Sequence, residues 1–254
     1  MVSVEPPVRT KEGKAFLVLT VMINPAEAMG ARVAVDVARH LADLMMPKTK
    51  KAPTAIRPDN EGSGRLVTAR ASWPMSAIGH ASASGLEMAN RVIAIQDWAA
   101  NDVPAAVTHN KGIMNGIDAV AIATGQDWRA IEAAVHAKAT TVVIPTRTKT
   151  TSDYKYADNG PPSKAEGRRY YKPLTTYHKD GDLLVGKLTI ALPVGTRGGA
   201  TMSPMAALCR NIMGLDSAGE LACVMGAVGL AQNFAALLCL AGHGLIEAHQ
   251  RVKR

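Results

Sequence analysis

Aromatic side chains are scarce in this chain: two Phe, three Trp and five Tyr among 254 residues. Proteins that bind single-stranded nucleic acid stack bases on aromatic rings, so this composition argues against that class. Cysteine is rare too, with Cys209, Cys223 and Cys239 and no C-x-x-C pair. A disulfide scaffold and a zinc knuckle are therefore not expected, no metal site is read from the sequence, and a reducing, cytoplasmic setting fits. There is no G-x-G-x-x-G run, no internal repeat and no low-complexity tract. The opening MVSVEPPVRTKEGK has no apolar stretch of the signal-peptide kind, so no secretory leader is expected.

What is present is a globular composition. Hydrophobic residues make up 47% and charged residues 20%, which excludes a wholly disordered, collagen-like or coiled-coil chain. The length suits one or two domains with a sizeable core. The net charge of +8 steers the chain towards polyanions without choosing among nucleic acid, anionic lipid and nucleotide. Much of it sits in two basic, Pro- and Gly-bearing stretches, Lys48–Arg57 and Arg147–Arg169, read as solvated loops. Leu221–Gly242 carries no charge over about 20 residues, a membrane-span length. Gln232 and Asn233 near its middle, and its many Ala and Gly, favour a helix buried at the centre of the fold, with no membrane partner.

Hydrophobic spacing supplies the elements. AFLVLTVMI (15–23) reads as a strand, followed by Asn24–Pro25 and an amphipathic helix over 26–46. A strand is expected within 65–76 and a helix over 85–100, then one or two helices over 115–139 broken near Thr124–Gly125. ATTVVIP (139–145) is a short strand or loop. Residues 174–192 read as a hairpin turning at Lys179-Asp180-Gly181. Helices are expected over 203–214 and 216–251.

The segment THNKGIMNGIDAVAIATGQDWRAIEAAVHA (108–137) carries the chemistry. Lys111 sits among His109, Asn110 and Gly112, at what reads as a helix start, where a cation is electrostatically disfavoured unless held. Asn115, four residues on, faces the same side. Asp127 follows the break. A lysine held by an asparagine and an aspartate can stabilise an oxyanion formed from a carbonyl. By spacing alone a surface lysine is the commoner meaning.

THNKGIMNGID is near-identical to the lysine motif of the class II hydroxymethylglutaryl-CoA reductases, and ATGQDWRAIEA resembles that family's ATGNDWRAVEA. LTTYHKDGDLLVGKLTIALPVGTRGGAT (174–201), AVGLAQNFAAL (227–237), GLIEAHQ (244–250) and PAEAMGAR (25–32) match further family segments in order, the last resembling DAMGAN. The chain is identified as similar to this family from about residue 15 to 250.

The resemblance implies an α/β (α+β) fold: a large catalytic domain with a long buried central helix, and part of a ferredoxin-like dinucleotide-binding small domain. The boundaries expected are 1–60 for the small domain and 61–254 for the large one, with a basic insertion at about 143–170. It implies reduction of a coenzyme A thioester to an alcohol by two hydrides from NADPH or NADH. In that scheme Lys111 stabilises the carbonyl oxyanion, Asp127 holds Lys111, Asn115 orients it and His249 protonates the leaving CoA thiolate. Glu27, Met29, Gly30, Ala31 and Arg32 lie against the dinucleotide. Thr108, Asn110, Gln232 and Asn233 lie at the substrate. The implied partners are the acyl-CoA and either a second copy of the chain or a polypeptide carrying the family's N-terminal segment.

The chain also departs from the family. The E-x-P-S-type segment with the catalytic glutamate is not found, and no glutamate is carried over. Ala105 stands where the family has the arginine that grips the substrate carboxylate, and an alanine makes no bidentate contact. Arg32 replaces the last Asn of DAMGAN and Glu27 its leading acid. The family's C-terminal flap around His249 is not found. A different substrate or reaction on the same site, or a non-catalytic binding subunit, are the alternatives.

Overall fold

The computed structural model describes residues 2–4, 7–62, 64–79, 83–142 and 169–242. In the N-terminal part, β1 (Val2–Val4) pairs antiparallel with β4 (Leu19–Val21), and β2 (Val8–Arg9) with β3 (Ala15–Phe16). The single strand expected over 15–23 is thus split at Leu17–Val18, because its two halves bond to different partners. The helix that follows, α1 (Ala31–Thr49), begins five residues later than its periodicity suggests. Ala26 and Gly30 take φ of 48° and 109°, outside the helical region. The Asn24 side chain accepts the Ala26 N–H at 3.0 Å and closes a turn there. No described residue before Ile78 is buried. The apolar stripe of α1, including Val33, Val37 and Leu44, therefore lies at the surface.

The core lies beyond. β5 (Leu66–Pro74) leads to three helices: α2 (Gly85–Asn101), α3 (Val103–Ala123) and α4 (Trp128–Ala139). β6 (Thr140–Val142) pairs with β7 (Arg169–Tyr171). Of the insertion expected at about 143–170, all but Arg169 and Tyr170 lies outside the described residues. The hairpin β8 (Thr175–Asp180) and β9 (Leu183–Ala191) turns at Gly181, φ 55°. It completes an antiparallel sheet in the order β5-β9-β8. The last helices are α5 (Pro204–Met213) and α6 (Ala218–Gly242). Five helix starts are capped by the side chains of Ser84, Asp102, Asp127, Ser203 and Ser217, each accepting a first-turn N–H. α3 begins at Val103, well before the expected 115, and Asp102 followed by Pro104 is the start signal in the sequence.

The period-2 alternation of β5 turns Val67, Ala69, Ala71 and Trp73 towards the helices, opposite Ile190, Leu188, Gly186 and Leu184 of β9. α6 lies across this face and packs α3 on its other side. Glycine sets both contacts. A Cβ at Gly226 would lie 2.9 Å from Val67, one at Gly229 2.8 Å from Ile117, and one at Gly116 2.9 Å from Val228. Three of the ten aromatics gather at the same place. Trp73 stacks on Phe234 with centroids 3.7 Å apart, and Tyr177 lies beside both. Gly186 leaves the room that Tyr177 and Trp73 occupy. Among the described helices, α6 is the one long and apolar enough to cross a membrane, with mean hydropathy 1.8. Here Leu221, Met225, Leu230, Asn233 and Leu237 are buried against protein.

Ile113 and Ile117 are fully buried and cannot move aside. Gly229→Ala is expected to lower stability by about 1–3 kcal/mol through overpacking, despite alanine's better helix propensity. Gly219→Ala, on the same helix with only Ser217 Oγ at 3.9 Å, is expected to raise stability by up to about 1 kcal/mol. Urea unfolding midpoints at unchanged slope check both signs.

Candidate active site

One cluster forms where the 24–30 turn meets the turn between α3 and α4. Met29, Gly125, Gln126, Asp127, Trp128, Arg129 and Ala200 line an open cleft of about 340 Å³. Backbone-directed side chains hold its walls. Arg65 donates to the carbonyls of Val194 at 2.6 Å and of Ala26 and Ala28 at 3.0 Å. Gln126, buried, donates to the Gly195 carbonyl at 2.8 Å and accepts the Gly195 N–H at 2.9 Å. Gly195 has no room for a Cβ, which would collide with the Ala28–Met29 backbone. Gly125, at φ 69°, likewise lies against the Ala200 carbonyl. The Asp127 N–H points at Met29 Sδ, 3.4 Å away. The sequence alone assigns no role to Arg65 or Gln126, because their partners lie far along the chain.

The predicted dinucleotide residues divide. Met29 lines the cleft. Gly30 is the left-handed residue before α1, where no side chain caps the helix and no acidic residue occupies the first turn. Ala31 and Arg32 are exposed, and Arg32 pairs with Asp36 at 2.7 Å. Glu27 turns inward. Its carboxylate accepts the Ala218 N–H at the start of α6 and the Thr196 hydroxyl, each at 2.7 Å. Those two bonds, the Ala218 one foremost, hold its pKa below the ordinary carboxylate value.

The second cluster is on α3. Lys111 stands in the helix interior, nine residues in, and not at the helix start its sequence neighbours suggest. The helix-end repulsion argument therefore does not apply. Thr108, Lys111 and Asn115 are exposed at i, i+3 and i+7 on one face. Among the described residues Lys111 makes no hydrogen bond or ion pair. Beneath it the predicted substrate residues split again. Asn110 is fully buried, donating to the Lys172 carbonyl at 2.9 Å and accepting the Leu174 N–H at 3.0 Å. Asn233 is 1% exposed and fully engaged inside, whereas Gln232 is exposed. His109 is buried, and burial pushes its pKa down to about 4. Asp118, on the same helix, is pushed up to about 6 by burial and by the nearby Glu132 charge. His249 lies outside the described residues.

Asp127 caps α4 by accepting the Ala130 N–H at 3.3 Å and lies 3.7 Å from Arg129. It does not touch Lys111. The two are separated by the rest of α3, about 18 Å at 1.5 Å per residue from Lys111 to Ala123. A single copy does not bring together the lysine and the aspartate that were expected to pair.

A model of the family described as hydroxymethylglutaryl-coenzyme A reductase matches residues 2–254. The chain belongs to this family. It is similar to the 3-hydroxy-3-methylglutaryl-coenzyme A reductase of Archaeoglobus fulgidus, 36% identical over 240 residues, covering 93% of this chain and 48% of that protein. It also resembles the class II 3-hydroxy-3-methylglutaryl-CoA reductase of Streptococcus pneumoniae bound to NADPH in open conformations. There the identity is 33% and the TM-score 0.75, over 94% of this chain and 58% of that one. A further structure of the S. pneumoniae enzyme gives 31% and 0.76, over 99% and 54%. The chain spans about half the length of the curated relatives it matches. The mixed helix and sheet fold expected from the sequence is that of these reductases.

A carboxylate whose folded pKa is lowered stabilises the fold above its unfolded pKa, and that contribution is lost as pH falls through the folded value. Glu27 is such a group, starting from 4.5. Glu27→Gln is expected to be less stable than the parent at pH 7. The gap should narrow as pH falls below about 4.5 and close further towards pH 3. Urea melts across this range measure it.

Proposed function

We propose that this chain contributes the lysine and aspartate elements of an NADPH-dependent reduction of a coenzyme A thioester of the hydroxymethylglutaryl kind. The observation that carries this is Lys111 itself: an exposed cation, unpaired among the described residues, on a turn whose neighbours His109 and Asn110 are locked by buried hydrogen bonds. A cation presented from a rigid base is suited to stabilise charge as it develops on a thioester carbonyl oxygen, because little reorganisation is needed. Thr108 and Asn115, one turn to either side, are placed to orient the substrate.

The cleft at Met29 and Asp127 is suited to the dinucleotide, NADPH rather than NADH on the precedent of the S. pneumoniae structure. The N-terminus of α1 supports this, since its uncapped N–H groups and lack of first-turn acid favour a pyrophosphate. Gly30 keeps the approach open. Arg32 is within reach of a ribose phosphate, its exposed pairing with Asp36 being weak enough to exchange. The dinucleotide, when bound, supplies hydride. Asp127, which lines the cleft, would tune the proton balance at the reacting carbonyl, and His249 would return a proton to the CoA thiolate.

Because Lys111 and Asp127 lie at opposite ends of half a helix, a complete site joins Lys111 of one copy to Asp127 of another. A second reading, a thioester lacking the hydroxymethylglutaryl carboxylate, is favoured by Ala105 in place of arginine.

The test is oxidation of NADPH or NADH by the full chain, alone and mixed with a polypeptide bearing the N-terminal segment. The substrates are hydroxymethylglutaryl-CoA and CoA thioesters without the carboxylate. Acyl-CoA-dependent oxidation is expected, and none under any combination sinks the reductase reading. Lys111→Ala should lower kcat about 10³-fold. Mixing inactive Lys111→Ala with inactive Asp127→Asn should restore about a quarter of the activity, since half the dimers are mixed and each regains one of two sites. No recovery means that the site does not join two copies.

A further inference from the structure

The residues under Lys111 form a closed hydrogen-bond ring, and its proton count fixes the state of each member. Asn233 on α6 donates from Nδ2 to the His109 carbonyl at 3.0 Å. A carbonyl only accepts, so this bond orients the amide and leaves Oδ1 as an acceptor. Oδ1 receives the Tyr177 hydroxyl at 2.9 Å and the Thr175 hydroxyl at 3.0 Å. Thr175 has one hydroxyl hydrogen, now committed to Asn233. Its 2.5 Å contact with His109 Nε2 must then be one in which the imidazole donates. His109 is therefore protonated on Nε2, and burial at this depth, which pushes its pKa down to about 4, keeps the ring neutral. Its other nitrogen, Nδ1, is a buried acceptor with no partner among the described residues.

That unpaired nitrogen separates this ring from ordinary packing. An aliphatic side chain would fill the same place without burying a lone pair, and burying one costs free energy. What histidine adds is the Nε2–H donor, which closes the loop from the side chain of residue 109 through Thr175 and Asn233 to its own backbone. The loop spans α3, β8 and α6, two residues before Lys111. Its neighbour Asn110 fastens the same turn to Lys172 and Leu174.

We propose that His109 is a positioning residue for Lys111: its Nε2–H donation to Thr175 closes the Asn233 ring that fixes where α3 presents the lysine. The role assigned to Lys111 rests on the reductase reading above; the ring itself does not. It also gives Asn233 work inside the fold, distinct from the substrate contact implied by resemblance.

Two measurements test it on the full chain. With ¹⁵N-histidine labelling at neutral pH, His109, assigned by its loss in His109→Gln, should be a neutral imidazole protonated at Nε2. Thr175→Val, which keeps shape but removes the acceptor, should mix the tautomers, and Thr175→Ser should not. An Nδ1-protonated or charged ring overturns the proposal, as does a tautomer indifferent to Thr175→Val. In the thioester assay, His109→Leu and Thr175→Val should lower kcat about tenfold or more with KM within about twofold. His109→Gln, whose amide N–H reaches the same depth, and Thr175→Ser should recover to within about threefold of the parent. A folded His109→Leu with parental kcat, or loss in KM alone, overturns the positioning role. If the parent chain oxidises no dinucleotide, it is the reductase reading that fails; the tautomer measurement still decides whether the ring exists.

Discussion

Helices α3 and α6 meet through glycine, and little in the remainder could stay as it is without that approach. Gly116 faces Val228, Gly229 faces Ile113 and Ile117, and Gly226 lets α6 lie against Val67 of the sheet. Backbones this close leave no space for water or for large side chains between them. Polar groups caught there must then satisfy one another, since an unpaired one is costly in an apolar interior. Asn233 does so by serving three bonds at once. The same closeness makes the Lys111 turn stiff. It cannot rotate about the α3 axis without breaking bonds to two other elements.

α6 thereby becomes the common reference for both clusters. Its N-terminal N–H, at Ala218, holds the Glu27 carboxylate and with it the turn that carries Met29. Its middle, at Asn233, holds the residue before Asn110 and Lys111. Two loops 169 residues apart in sequence, at Glu27 and Thr196–Arg197, are brought into register by one carboxylate and its own carbonyl. Hence a helix with so little amphipathic character is still specified. Its surroundings differ along its length, and Glu220 near its start and Asn233 in its middle each answer particular partners.

The parts of this organisation that are written locally could be read from the chain. β5, α2, the hairpin and the apolar central helix all follow from spacing and turn chemistry, and the THNKGIMNGID run pointed to Lys111. The differences have physical causes. Periodicity starts α1 early because it does not register two positive-φ residues. It starts α3 late because apolar Val103–Val107 precede the motif, although Asp102 and Pro104 mark the start. The pairing of Lys111 with Asp127 was expected from motif proximity, yet sixteen residues of mostly helix separate rather than join them. Arg65, Gln126, Thr175 and Tyr177 gave no signal at all. Each acts through a contact with a distant backbone carbonyl or side chain, which no local pattern encodes.

The substitution at position 105 bears on what this site would accept. Along the whole of α3 the only lysine or arginine is Lys111. A single cation cannot both grip a substrate carboxylate in a bidentate manner and stand over a thioester carbonyl, because the two oxygens lie on different carbons and need separate donors. The carboxylate of a hydroxymethylglutaryl group would therefore have to find its donor outside α3. Ala105 itself is half-buried, its N–H bonded to the capping Asp102. The charged side chain at that turn is a carboxylate, Asp102, which accepts hydrogen bonds and offers a second carboxylate no donor.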